Sequence, residues 1–456
     1  MKKTLCIVLA VLMIVVLFSG CAGEPEPLRI VVDLEHLGFE YDFSIEDAVN
    51  GFTLRVSEAT GIEDIVIESL PGSFEGRNAR KAMLSRLRAE IMAGEGPDVF
   101  ILGCSGGYFG NTDDPFIAIP EKAMANGMFL PLDDYMEDAQ FTDWDRLLPQ
   151  VMAAGQNEYG QQIVPISYTM PLTVFRAEDV PEEYPAETTW QDMLSDETGV
   201  LSAASTWFHS GGTYFEFYEG AYLESVLGTL ADYDNEELLF TEEELTQRLT
   251  EVLEQHRKYR NGEFPEVPLH FQMLMGVDYD MGSLSSQSWA PSMDPYNGIV
   301  KTDPQRMVPI YSADGGVTAT VISYAAVNVN TRRPEEAFSV IDYLVSLPEL
   351  KQSSMGWNWL YSNGAVPIHM DAMSTKNPVA NPVWKEVWFM RDENFEEFSR
   401  VREQITHVNF RGGLSTELKW LYSSCQGQYV YDMPSSTTVE ENVHEYYRKM
   451  KRLLGE

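Results

Sequence analysis

Cysteine is nearly absent from this 456-residue chain, which holds only Cys6, Cys21, Cys104 and Cys425. So few scattered thiols exclude a disulfide framework and a cysteine-type metal cluster. Cys6 lies in an N-terminal apolar segment, so Cys104 and Cys425 are the pair left to the folded part. Their wide separation in sequence leaves open a single bridge or two buried free thiols. Positive charge is scarce as well: 32 Lys and Arg stand against 70 Asp and Glu, a formal net charge of −38. A field of that sign opposes phosphate backbones and excludes nucleic acid as the partner. The seven histidines supply no H-E-x-x-H and no other close pair, so no zinc site is expected. Long apolar runs are confined to Leu5 through Phe18, shorter than the roughly 20 residues a membrane-spanning helix needs. With Lys2 and Lys3 before it and Ser19-Gly20 after it, this run reads as a secretory signal that is removed. Internal repeats and low-complexity tracts are missing too.

What remains is a folding chain with 44% apolar residues. Loss of residues 1–20 removes two positive charges and no negative ones, leaving −40. Roughly 430 residues exceed one ordinary hydrophobic core and argue for two domains. Leu28 to Val32 and Glu63 to Leu70 read as strands around a helix from Ser44 to Thr60 that Gly61 ends, a βαβ start. A second helix, Arg80 to Ala93, stops at Gly94 and leads into a third strand at Val99 to Leu102. Such alternation implies a mainly parallel sheet covered by helices, with ligands bound beyond the strand C-termini, which here means the loop Gly103 to Thr112. Gln162 to Phe175 and Val317 to Asn330 are strand-like crossings between domains. Thr241 and Glu244 form a capping box for a helix reaching about Tyr259, closed by Asn261-Gly262, and Pro334 opens another helix.

Three motifs invite other chemistry. Gly103-Cys104-Ser105-Gly106-Gly107 spells G-x-S-x-G after a strand, and His407 and His444 lie downstream as a hydrolase would require. A nucleophile elbow needs a helix directly after the serine, whereas Gly107, Gly110 and Pro115 follow, so a Gly-rich ligand loop is the better account. Asp232, Asp234, Glu236 and Glu243 sit at EF-hand spacing, but Glu237 stands where the sharp turn needs glycine, which leaves a solvated acidic loop. Tyr108, Trp207-Phe208, Trp289, Trp357 and Trp359 occupy Gly-, Ser- and Asn-rich stretches. Flat rings there can cover the apolar face of a sugar while amides and carboxylates take its hydroxyls. Packing aromatics are the alternative at each position.

Phe18-Ser19-Gly20-Cys21 resembles a bacterial lipobox, with Cys21 as the lipidated residue and Glu24-Pro25-Glu26-Pro27 as a tether. Leu87 through Val99, with Ala93-Gly94-Glu95-Gly96-Pro97-Asp98, resembles the "AGxxPD" signature of the family 1 extracellular solute-binding proteins. Tyr159 to Pro165, Thr189 to Leu194, and Pro334 to Phe338 with Leu344 to Ser346 are similar to later pieces of the same family, in order. Residues 205–300 carry little of the pattern; Met275-Gly276-Val277-Asp278 is the nearest piece to its "GxxAM" strand.

The resemblance implies a two-lobed periplasmic-binding-protein-like α/β fold, related to maltose-binding protein. Each lobe would be a mainly parallel sheet flanked by helices, joined by crossing hinge strands. It implies lobes of residues 28–167 with 316–375 and 168–315 with 376–456, after a signal peptide (1–20) and a tether (21–27). The chain would be a monomeric, non-enzymatic lipoprotein on the outer face of a Gram-positive-type cell membrane, handing a sugar or oligosaccharide to an ABC permease after hinge closure. Ligand contacts fall to Ser105, Tyr108, Trp207, Trp289, Trp357 and Trp359, with no metal or cofactor. The rival is an anchored glycan hydrolase, which needs two carboxylates about 5–10 Å apart. Peptide, polyamine and metal-chelate ligands also stay open.

Overall fold

The computed structural model describes residues 26–33, 45–71, 76–104, 115–178, 180, 183–196, 199–206, 219–263, 269–275, 304–352, 366–381, 386–388, 390 and 392–455. Nine of the strands among these residues join one sheet: β1 (Leu28–Val32), β2 (Ile65–Ser69), β3 (Val99–Gly103), β4 (Ile163–Arg176), β5 (Leu269–Met275), β6 (Gln305–Pro309), β7 (Val317–Val327), β8 (Val366–Pro367) and β9 (Ile405–Phe410). The helices that matter here are α1 (Ile45–Thr60), α2 (Arg77–Met92), α3 (Pro120–Ala125), α4 (Trp190–Ser195), α5 (Glu219–Leu227), α6 (Glu242–Asn261), α7 (Pro334–Leu344), α8 (Asp392–Arg402), α9 (Gly413–Tyr429) and α10 (Val439–Gly455).

The βαβ start folds as the sequence dictates. β1 pairs in parallel with β2 on one side and β3 on the other. β1 and β3 are apolar and buried almost throughout because helices cover the sheet. α2 ends where Gly94 takes φ +77 and Gly96 φ +110, backbone that only glycine adopts without strain. Pro97 then starts the chain toward β3.

Two long strands organise the rest. β4 spends residues 163–167 against β7, then residues 170–176 between β5 and β6. β7 divides likewise, with 317–321 beside β9 and 323–327 between β3 and β4. All eleven β7 residues are buried, in keeping with its β-branched and alanine-rich sequence VTATVISYAAV. The two cross where Ser167 and Ser323 share a hydrogen bond of 2.8 Å. β7 with β9 is parallel, whereas β4 pairs antiparallel with β5, β6, β7 and β8. Antiparallel pairs thus enter through the crossing strands, which run back against the sheet they join.

Both expected helix starts carry complete capping boxes. Thr189 and Asp192 close α4, and Thr241 and Glu244 close α6, which ends on left-handed Gly262. Trp190 is fully buried, its indole N–H donating to Glu251 at 2.9 Å, so this tryptophan is core. Cys104 and Cys425 are buried free thiols, which decides between the two options the sequence leaves. The EF-hand-like run is a β-hairpin turn between Ala231–Asp232 and Glu237–Leu238. Asp232 accepts from the backbone N–H groups of Asp234 and Asn235 at 3.1 and 3.0 Å, which occupies it within its own loop. Among the described residues no cluster of His, Cys, Asp and Glu is arranged to hold a metal. No helix among them is long and apolar enough to cross a membrane.

Candidate functional site

The register of β7 brings two strand ends to one place. β3 descends from Val99 opposite Val327 to Gly103 opposite Ser323, while β9 ascends from Ile405 opposite Val317 to Phe410 opposite Val321. The two C-terminal ends converge on Val321 to Ser323 from opposite directions. Cys104 N–H donates to the Ile322 carbonyl at 2.7 Å, and Arg411 N–H to the neighbouring Val321 carbonyl at 3.0 Å. Both chains are held to β7 up to the residue where they leave it. In an α/β sheet the ground beyond such ends is where ligands bind.

Charged groups line this junction. Asp33 follows β1 directly and receives both terminal nitrogens of Arg80 from α2, at 3.0 and 2.6 Å, with both residues buried. Arg80 also donates to the Pro71 carbonyl beyond β2, tying the ends of β1 and β2 to one guanidinium. Tyr324 of β7 lies at the centre, its ring edge-on to Phe410 at 5.6 Å. Burial pushes its phenol and the Cys104 thiol well above their ordinary pKa values.

On the far side, α3 seats Glu121 against the end of β9. Pro120 at the first helical position fixes the start of α3, and the buried Glu121 carboxyl accepts from Phe410 N–H at 3.4 Å. Burial raises it to about 7. Glu224 of α5 is also buried and accepts from Thr320 Oγ1 at 2.9 Å; burial raises its pKa too, opposed by Ser415, Thr320, Asn409 and Arg411. Gly412 lets the chain pass close to α3, since a Cβ there would sit 2.9 Å from the Ala118 carbonyl. Lys122 completes the contact by donating to the Leu454 carbonyl at 2.6 Å.

Cys21, Ser105, Tyr108, Trp207, Trp289, Trp357 and Trp359 all lie outside the described residues. Cys104, the last described residue before them, stands at the junction. The two histidines of the hydrolase reading have other partners. His407 Nδ1 meets Thr229 Oγ1 at 3.1 Å and its Nε2 the Gly315 carbonyl at 3.2 Å, while His444 pairs with Glu242 at 3.0 Å. Asp33, Arg80, Glu121, Glu224 and Arg411 escape sequence reasoning. Asp33 offered a signal, an acid closing the apolar run Leu28 to Val32; Glu121 reads as an ordinary acid in a first helical turn.

No family model and no curated protein matches the chain. Solved structures do. A family 1 extracellular solute-binding protein from Alicyclobacillus acidocaldarius superposes with a TM-score of 0.50 at 13% identity, over 94% of this chain and 98% of that one. A de novo designed cysteine esterase gives 0.50 at 15% identity, over 95% and 99%. An ABC transporter solute-binding protein from Thermotoga lettingae, bound with α-D-tagatose, gives 0.49 at 14%, over 94% and 100%. The chain has a two-lobed, periplasmic-binding-protein-like α/β fold, the fold it shares with the Alicyclobacillus solute-binding protein. Within that class it is similar to the family 1 extracellular solute-binding proteins, the resemblance its motifs carry.

Proposed function

We propose that this chain is the extracytoplasmic, lipid-anchored solute-binding component of an ABC importer, capturing a sugar or oligosaccharide between its lobes. The observation that carries the reading is the convergence of the β3 and β9 C-termini on Val321 to Ser323. It brings two sets of strand ends to one place, the ground where an α/β sheet binds its ligand. The lobes are residues 28–167 with 316–375 and 168–315 with 376–456, a division supported by the way β4 and β7 each give their two halves to different partners. The signal peptide and Cys21 supply the anchor, and the permease receives the solute. Ser105, Tyr108, Trp207, Trp289, Trp357 and Trp359 are the proposed ligand contacts, stacking on and hydrogen-bonding to an uncharged polyhydroxylated ring.

A thermal-shift screen against monosaccharides, oligosaccharides, amino acids and polyamines tests the reading, since a solute that binds only the folded protein raises its melting temperature. Saccharide-selective stabilisation is expected. Trp→Ala changes at 207, 289 and 357 should each weaken binding by about 1–3 kcal/mol with little loss of fold. Collapsed stability with unchanged affinity would assign those residues to the core. Glycan cleavage on incubation would give the protein to the rival hydrolase.

A further inference from the structure

Glu121 and Glu224 come from different parts of the chain to neighbouring rungs of one ladder: Glu121 accepts from Phe410 N–H at 3.4 Å and Glu224 from Thr320 Oγ1 at 2.9 Å, where Asn409 and Phe410 of β9 lie beside Thr320 and Val321 of β7. Glu121 stands on α3, inside the first proposed lobe, and Glu224 on α5, inside the second. Both side chains are buried, and the Glu224 charge adds to the burial that raises Glu121. Among the described residues neither takes part in an ion pair with Lys or Arg. Tyr233, from the 231–238 hairpin, turns its phenol to Glu121; Cys104, just past β3, and Tyr324 from β7 lie within its field. Arg411, just past β9, acts on Glu224 from a distance, and Thr320, Asn409 and Ser415 offer it neutral hydrogen bonds. On α3 itself Lys122 is turned away, to Leu454 and Glu236.

Two carboxylates cannot both stay ionised in one dry enclosure with a single distant cation. We propose that Glu121 and Glu224 form a proton-held seam between the lobes: α3 stays seated against β9 and α5 while the pair keeps one proton, and loosens when that proton is lost. Solute binding by hinge movement is thereby tied to proton uptake, an extension that rests on the two-lobed binding reading. Burial already holds Glu121 up at about 7, so the seam responds across the mild acid to mild alkaline range. Glu121 protonated is a neutral donor that the hairpin, β9 and α5 can enclose; Glu121 ionised seeks water.

The test is hydrogen exchange of the unliganded protein between pH 5.5 and 8, corrected for the intrinsic pH dependence of amide exchange. Peptides covering 116–125 and 219–233 should open on the order of tenfold or more readily at the alkaline end, because each pKa unit of elevation is a factor of ten in opening. Glu121→Gln should abolish this pH dependence and keep both peptides protected throughout. Glu224→Gln is the second variant, expected to lower the pH response by removing the like charge. Infrared difference spectra of the wild type should carry a protonated carboxyl band lost in Glu121→Gln. Equal protection of the wild type at both ends of the range, or an unchanged rise in both Gln variants, overturns the seam. A seam that titrates in a protein binding no saccharide upholds this proposal and removes the solute-binding reading. Saccharide binding beside a pH-silent seam does the opposite.

Discussion

Within one junction the protein buries charge in two ways. Asp33 and Arg80 are both almost wholly enclosed, yet each carboxylate oxygen meets its own guanidinium nitrogen, so the desolvation of one charge is offset by the other. Glu121 and Glu224 are equally enclosed, and among the described residues no Lys or Arg pairs with either; burial pushes both carboxyls up, Glu121 to about 7. A fixed partner makes a site indifferent to pH near neutrality. A borrowed proton makes it sensitive there. The first arrangement suits a scaffold, holding the ends of β1 and β2 together, and the second suits a contact that has to be released.

Removing the partner should break the comparison most severely. Arg80→Met strands the Asp33 carboxylate and is expected to cost about 3–5 kcal/mol by denaturant unfolding, the usual penalty for an orphaned buried charge; adding Asp33→Leu should return much of it. Glu121→Gln should act in the other direction at alkaline pH. The Glu121 carboxyl titrates at about 7, above ordinary glutamate, so its stabilisation is full below the ordinary glutamate range and lost as pH rises through 7. Over that interval the wild type should lose about 3 kcal/mol that the variant keeps, at roughly 1.4 kcal/mol per unit, read as melting temperature against pH. Thr320→Val removes the hydroxyl that donates to Glu224 and should cost about 1–2 kcal/mol by denaturant unfolding. Thr241→Ala, in the α6 capping box far from either site, should cost about 1 kcal/mol with no pH dependence across that range. A pH-dependent loss there would mean that the whole fold, and not the junction, responds to protons.

The parts of this architecture that local rules govern were legible. Leu28–Val32 is the strand the sequence gives away by its apolar run, and Thr241 with Glu244 announces α6 by spacing alone. Gly94 and Gly96 stop α2 where expected, for reasons of backbone sterics. The junction is another matter. Glu121, Glu224 and Arg411 are brought together only because β3 and β9 are keyed to adjacent stretches of β7, a register no window of sequence contains. Read locally, each is a surface charge. The aromatics and Ser105 singled out from composition fall outside the described residues.

β7 therefore behaves as a ruler with two scales. Residues 317–321 measure off β9 and residues 323–327 measure off β3, with Ile322 as the shared zero. Since strand side chains alternate faces, a one-residue deletion before Ile322 would turn the β9 half inside out and leave β3 in register, and a deletion after it would do the converse. Length can change at neither scale without expelling half of a fully buried strand. Variation in size among chains built on this plan has to be accommodated in the loops that leave the strand ends, so those loops can be remodelled while the strand between them keeps a fixed number of residues.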